Sequence, residues 1–208
     1  MTAIVMADGI PIYHEVWPGN TVDPKTFEST LTTLKERFHI GDIIFIGDRA
    51  FGRNYSLKIL DRNIYITAAY RWDIPYRDVL METDFSDGTV VDDLVIKEVS
   101  IDIGDVADEY STQEEIELIK KRRYIAVLNR ERERLDLMDL EDKLVAVKRM
   151  INKDTKLGEL KKSFGELKSF VRFSDSGVTF NNKRIEMMKN LAGRFLIVTN
   201  TYMDKRKL

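Results

Sequence analysis

Residues Asp42–Asn54 read DIIFIGDRAFGRN, and this stretch constrains the chain more than any other. Ile43, Ile44, Phe45 and Ile46 form a short apolar run, followed by Gly47, the carboxylate of Asp48 and the guanidinium of Arg49. A run of this length without polar alternation predicts a strand covered on both faces, as at the parallel centre of an α/β sheet. Its carboxyl end then delivers Asp48 to the sheet edge where open α/β folds bind ligands and metals. Two readings of Asp48 stand side by side. It is a metal-ligand carboxylate of a nucleic-acid phosphoryl-transfer site, a chemistry that needs several carboxylates converging on ions about 3.5–4 Å apart. Or it is a cap that accepts backbone N–H groups of the following segment.

The flanking sequence supports an α/β unit. Thr2–Ala7 is apolar, Asp8-Gly9 is a tight-turn dipeptide and Ile10–Trp17 alternates, which predicts a β-hairpin. The loop Pro18–Pro24 closes with Asp23 as N-cap and Pro24 at the first helical position. Phe27, Leu31, Leu34 and Phe38 then follow at helical spacing. Beyond Asp48, a helix over 54–62 points Leu57 and Leu60 inward, and 64–69 reads as a strand. Residues 71–129 read as mostly β, with Val90–Val99 and Arg123–Leu128 the clearest strands and the acidic segment Ile103–Glu117 between them. Arg130–Ile151 is a helix carrying a stripe of Leu135, Met138, Val145 and Met150. A second helix over Lys156–Phe164, strands over Ser169–Phe173 and Gly177–Phe180, a helix over Lys183–Leu191 and a last strand over Arg194–Thr199 complete the chain. A missing strand before the opening hairpin would leave it with an exposed edge, which predicts pairing with another chain, as in a homodimer, or poor solubility.

Composition narrows the chemistry. The chain has 208 residues, no Cys and two His, so disulfides, thiolate zinc sites and His-rich metal sites are excluded. A metal here would be held by carboxylates, which favours Mg²⁺ or Mn²⁺. The formal charge of −2 gives no global attraction to nucleic acid, so DNA contacts would come from local patches. The strongest is Lys120-Lys121-Arg122-Arg123, with Arg130, Arg132 and Arg134 soon after. Its bland reading is a solvated face, since Glu131, Glu133, Asp136 and Asp139 intersperse the later part. Trp72 and Tyr76 flank Arg71 and Arg77, a mixture that stacks on bases or simply packs. His14 and Glu15 are neighbours on a strand and point to opposite faces, so they do not chelate one ion. GxSxG, GxxxxGK[ST] and GxGxxG are all missing, so no small-molecule substrate is expected. No apolar run approaches the ~20 residues of a bilayer span, and the N-terminus lacks a signal-peptide pattern. A cytoplasmic protein without membrane partners is the expectation.

Two blocks carry a family resemblance: GIPIYHEVWPGNTVDPKTF at Gly9–Phe27 and IFIGDRAFGRNYSLKIL at Ile44–Leu60. In this order and spacing they resemble the insertion-sequence transposases of the DDE class, within them the IS-four group. RRYIAVLNRERERLD at Arg122–Asp136 and GRFLIVTNT at Gly193–Thr201 resemble later blocks of the same family. The resemblance implies an α/β fold with an RNase H-like, retroviral-integrase-like core interrupted by a β-rich and helical insertion domain. Residues 1–70 would be the partial core, 71–193 the insertion domain and 194–208 a strand returning towards the core. It implies that Asp48 corresponds to the second Asp of the triad, a ligand of Mg²⁺, and that Arg49 supports it beside DNA. Ala50 stands where the family has Gly. The first Asp and the Glu of the triad would lie beyond the two ends of this chain, so the expectation is a prokaryotic, DNA-associated transposase fragment that is inactive alone. The competing expectations are a non-catalytic DNA-binding or interaction module built on Lys120–Arg123, and a complete nuclease recruiting Asp42, Asp61 or Asp73.

Overall fold

The computed structural model describes residues 2–5, 11–16, 30, 32–34, 36–37, 44–151, 162–174 and 177–204. Its centre is a six-stranded mixed sheet, and the class is α/β. The strands are β3 (Ile44–Gly47), β4 (Ile64–Ala68), β5 (Thr89–Val91), β6 (Leu94–Val99), β7 (Arg123–Asn129) and β10 (Arg194–Thr199). Their spatial order is β3-β4-β10-β7-β6-β5. Only β3 and β4 are parallel neighbours among these strands; the other pairs are antiparallel. Helix α1 (Asn54–Leu60) makes the crossover between the parallel pair, and Leu57 and Leu60 are buried beneath it as expected.

The apolar run before Asp48 is not central. Strand β3 lies at the sheet's end, with Ile44 50% and Ile46 76% exposed. Phe45 alone turns inward, packing edge-on against Phe51 at a centroid distance of 4.8 Å. A strand whose two faces are both apolar hides its period of two, so burial cannot be assigned from the run itself. The covered positions belong to β7, where Tyr124 through Leu128 are all buried, and to β10, which enters between β4 and β7. The expected boundaries at 70/71 and 193/194 thus fall between strands of one sheet: β5, β6 and β7 come from 71–193 and β10 from 194–208.

Residues 71–129 hold more helix than the expected β reading. Helix α2 (Ile74–Glu82) begins after Asp73 with Pro in its first turn and buries Tyr76 and Leu80. The expected strand Val90–Val99 is a hairpin, β5 and β6, turned at Asp92 with φ 49°. The acidic segment contains α3 (Ile103–Val106) and α4 (Gln113–Ile119). The latter starts with a capping box of Thr112 and Glu115.

A second, smaller core sits under α5 (Arg130–Ile151), whose bounds match the expected helix. Leu140, Leu144, Val147 and Ile151 form its inner line and meet Phe164, Phe170 and Val171. The last two belong to the end of a 3-10 helix (Gly165–Phe170) and to β8 (Val171–Ser174). Strand β9 (Gly177–Phe180) pairs with β8, and α6 (Asn182–Asn190) follows. Of the expected stripe, Met150 packs on this core, but Leu135, Met138 and Val145 face solvent. The inner residues recur at i, i+4, i+7 and i+11; Leu135, Met138 and Val145 recur at i, i+3 and i+10 on the opposite face, and only Met150 turns towards the core.

The N-terminal hairpin is present as β1 (Thr2–Val5) and β2 (Pro11–Glu15), a two-stranded antiparallel sheet with His14 opposite Ala3. Its Asp8-Gly9 turn and the Pro18–Pro24 loop lie outside the described residues. Residues 30, 32–34 and 36–37 are helical with Leu34 buried, while Phe27, Leu31 and Phe38 are outside them, as is most of the expected helix Lys156–Phe164. No helix among the described residues is long and apolar enough to cross a membrane.

Gly52 fixes how the chain leaves β3. It is buried where a Cβ would strike the carbonyl oxygen of Ala68 and come within 2.6 Å of Ala69 Cα. Its own carbonyl accepts the Tyr70 N–H at 3.1 Å, so neither backbone is free to retreat. Gly52→Ala is expected to destabilise by about 2 kcal/mol and lower Tm by roughly 4–8 °C, read by thermal unfolding.

Candidate nucleic-acid interface

Asp48 follows the last residue of β3, so it does stand at the carboxyl end of the parallel pair. Its backbone carbonyl accepts the Thr67 hydroxyl at 2.8 Å, tying the end of β3 to β4. Its side chain is exposed, and Oδ1 accepts the Ala50 N–H at 2.8 Å, the self-capping turn that Asp makes two residues back. The capping reading of Asp48 is therefore met. A magnesium ion needs near-octahedral oxygen ligands, and the two-ion chemistry needs several carboxylates. Among the described residues no three His, Cys, Asp or Glu side chains gather. Of the other acids considered, Asp61 is buried in an ion pair, Asp73 precedes α2 and Asp42 lies outside the described residues.

Positive charge is what gathers at this edge. A cleft of ≈ 240 Å³ opens where β3 and β4 end, β7 passes into α5 and β10 begins. Arg49 reaches it from β3, Arg71 and Trp72 from the segment after β4, and Arg132 with Asp136 from the first turns of α5. Neither Arg49 nor Arg71 is paired with a carboxylate among the described residues. Arg132 Nε donates to Asp136 Oδ1 at 2.8 Å, and Asp136 Oδ2 also accepts the Gly193 N–H at 3.0 Å. Burial holds the Arg71 guanidinium below its ordinary value; Asp136 pulls it up, while the charges of Arg49 and Arg132 push it further down. Such crowding of like charges is relieved when an anion enters.

Two aromatic rings edge the cleft. Tyr70 lies under Arg53 at 3.9 Å, and Trp72 has the guanidiniums of Arg184 at 4.5 Å and Arg71 at 5.2 Å. Arg184 Nε is buried without a hydrogen-bond partner. Arg194 also lines the cleft, but its guanidinium donates to the Leu80 carbonyl at 2.7 Å and so caps the end of α2. Tyr76 is wholly buried and Arg77 pairs with Asp78, so only Trp72 of the expected stacking pair is placed to meet a base.

The expected basic block Lys120–Arg123 does not form one surface. The Arg122 side chain is 0% exposed and bonds to Asp61, with Nε–Oδ1 at 2.9 Å and Nη2–Oδ2 at 2.6 Å. It is removed from any DNA contact because the block runs directly into the all-buried strand β7. Arg123 pairs with Glu98 and donates to the carbonyls of Thr201 and Met203. Lys120 pairs with Glu117, and Lys121 is exposed. Of the expected DNA-binding residues, Arg49 alone reaches the cleft; Arg53 and Arg184 have no local sequence pattern that marks them. No family model, curated protein or solved structure matches the chain.

Proposed function

We propose that this chain is a DNA-binding portion of a DDE-class transposase with an RNase H-like core, and that it does not cut DNA by itself. The parallel pair β3–β4 would be the part of the core that presents the second triad carboxylate, Asp48. What supports the reading most is the arginine cleft at the carboxyl ends of those two strands, in which Arg49 and Arg71 have no acidic partner among the described residues. Guanidiniums bind phosphates through paired N–H donors, and a half-buried Trp beside them suits a base of a strand lying across the edge. No catalytic step is assigned, because no group of three metal-ligating side chains gathers around Asp48 among the described residues.

The experiment measures both halves with the purified 208-residue chain and short labelled DNA. Salt-sensitive binding without Mg²⁺-dependent strand cleavage is the expected result. Cleavage that Asp48→Ala abolishes would overturn the inactive half; no binding at low salt would overturn the DNA half.

A further inference from the structure

The outer face of α5 is apolar where it has no reason to be. Leu135, Met138 and Val145 are exposed on it, Met138 by 52%, directly opposite the buried line of Leu140, Leu144 and Val147. Glu131, Asp142 and Arg149 share this outer face, exposed and with no ion pair among the described residues. Read from its N-terminal end the face runs Glu131, Leu135, Met138, Asp142, Val145, Arg149, and these six positions are symmetric about the level of Leu140.

We propose that α5 pairs antiparallel with α5 of a second copy across a two-fold axis at that level. In this arrangement Glu131 of each copy faces Arg149 of the other, and Leu135 of each faces Val145. Met138 faces Asp142 of the other copy next to the axis, its thioether and methylenes packing on the Asp142 side chain. Asp142 comes within a turn of Arg134 of the other copy; in the single chain that guanidinium donates to the sulfur of Met138, at 3.4 Å, and has no ion pair among the described residues. A two-fold interface must be self-complementary, and the Glu131 and Arg149 ends of this face meet that condition only in the antiparallel sense. A parallel pair would set Glu131 against Glu131 and Arg149 against Arg149. A different protein partner would not require this mirror placement of opposite charges. The contact is one helix wide and about 27 Å long, so it forms a small interface, at the weak and transient end of the size range. It uses neither Asp48 nor Arg49, and it holds whether or not the cleft binds DNA.

Analytical ultracentrifugation of the 208-residue chain over about 1–200 μM tests this. The expected result is a monomer–dimer equilibrium that Met138→Glu abolishes. Glu131→Arg alone is expected to weaken dimerisation about tenfold by setting like charges together, and Glu131→Arg combined with Arg149→Glu to restore it. Circular dichroism confirms that the variants keep their helix, as solvent-facing positions should. A chain that stays monomeric throughout overturns the proposal. So does a dimer that Met138→Glu leaves intact, which would place the contact elsewhere, such as the edge of β3. Failure of the double charge swap to recover what the single swap loses overturns the antiparallel pairing.

Discussion

Asp61→Ala is expected to cost about 3–5 kcal/mol of stability, the largest effect of any single substitution outside the hydrophobic core. Asp61 sits at the end of α1 and Arg122 one residue before β7, with side chains 3% and 0% exposed. Removing the carboxylate takes from a buried guanidinium the counter-charge that Asp61 supplies, which burial strongly disfavours. A second partner is lost as well, since the Tyr65 hydroxyl donates to Asp61 Oδ1 at 3.0 Å. Burial first, and then the charge of Asp61, hold the Tyr65 phenol well above its ordinary value. The same region is clipped to β10. Asn200 accepts the Tyr65 N–H at 3.1 Å and donates to the Asn63 carbonyl at 2.7 Å. Urea denaturation should show Asp61→Ala and Arg122→Ala each falling by a similar amount. The pair replacement Asp61→Leu with Arg122→Met should fall by much less, because it removes both buried charges. Single variants that lose less than about 1 kcal/mol would mean that water reaches the pair and that it is a surface bridge.

That ion pair shows where sequence reading succeeds and where it stops. Strand β7 and the bounds of α5 were legible because RYIAVLN is a continuous apolar run that meets a charged helical segment at Arg130. The same junction misled at its other end. Lys120-Lys121-Arg122-Arg123 is one basic block in the chain, yet it turns from α4 into β7, and a turn sends successive side chains to different surroundings. Arg122 was carried under the sheet to Asp61, 61 positions away, and nothing local records that distance. The arginine cleft was hidden for the same reason, its members coming from four separate parts of the chain. A signal for part of it existed. Each of the two parallel strands is followed by an arginine, Arg49 in GDRA and Arg71 in AAYRW, and parallel strands bring their carboxyl ends to one edge. The edge position of β3 and the outward face of Leu135, Met138 and Val145 depend on which neighbours arrive, and so on the tertiary fold.

Replacing Arg49, Arg71 and Arg132 together by alanine is expected to lower DNA affinity by about 10²–10³-fold at 0.1 M salt, with Arg71→Ala alone giving about tenfold. Arg71 is the most buried of the three in effect, pressed by like charges on two sides, so a phosphate that enters gains most from it. The decisive reading is the salt dependence. Each phosphate contact removed should flatten the slope of log K against log salt by roughly 0.9, so the triple variant should lose about three units of slope on duplex DNA. Lys120→Glu with Lys121→Glu is the control, because those side chains lie away from the cleft and should change affinity less than threefold. Trp72→Ala separates phosphate binding from stacking. It should cost about 1–3 kcal/mol on single-stranded DNA while leaving the salt slope alone, since an indole contributes no counterion release. Asp48→Asn removes a negative charge beside Arg49 while keeping an Oδ1 acceptor for the Ala50 N–H, and should leave binding unchanged or tighter; its loss of binding would mean that the carboxylate charge itself takes part in binding. If the triple variant binds as tightly as the native chain while the Lys120 and Lys121 changes abolish binding, the cleft is not the DNA surface, and the proposed function loses the observation that carries it.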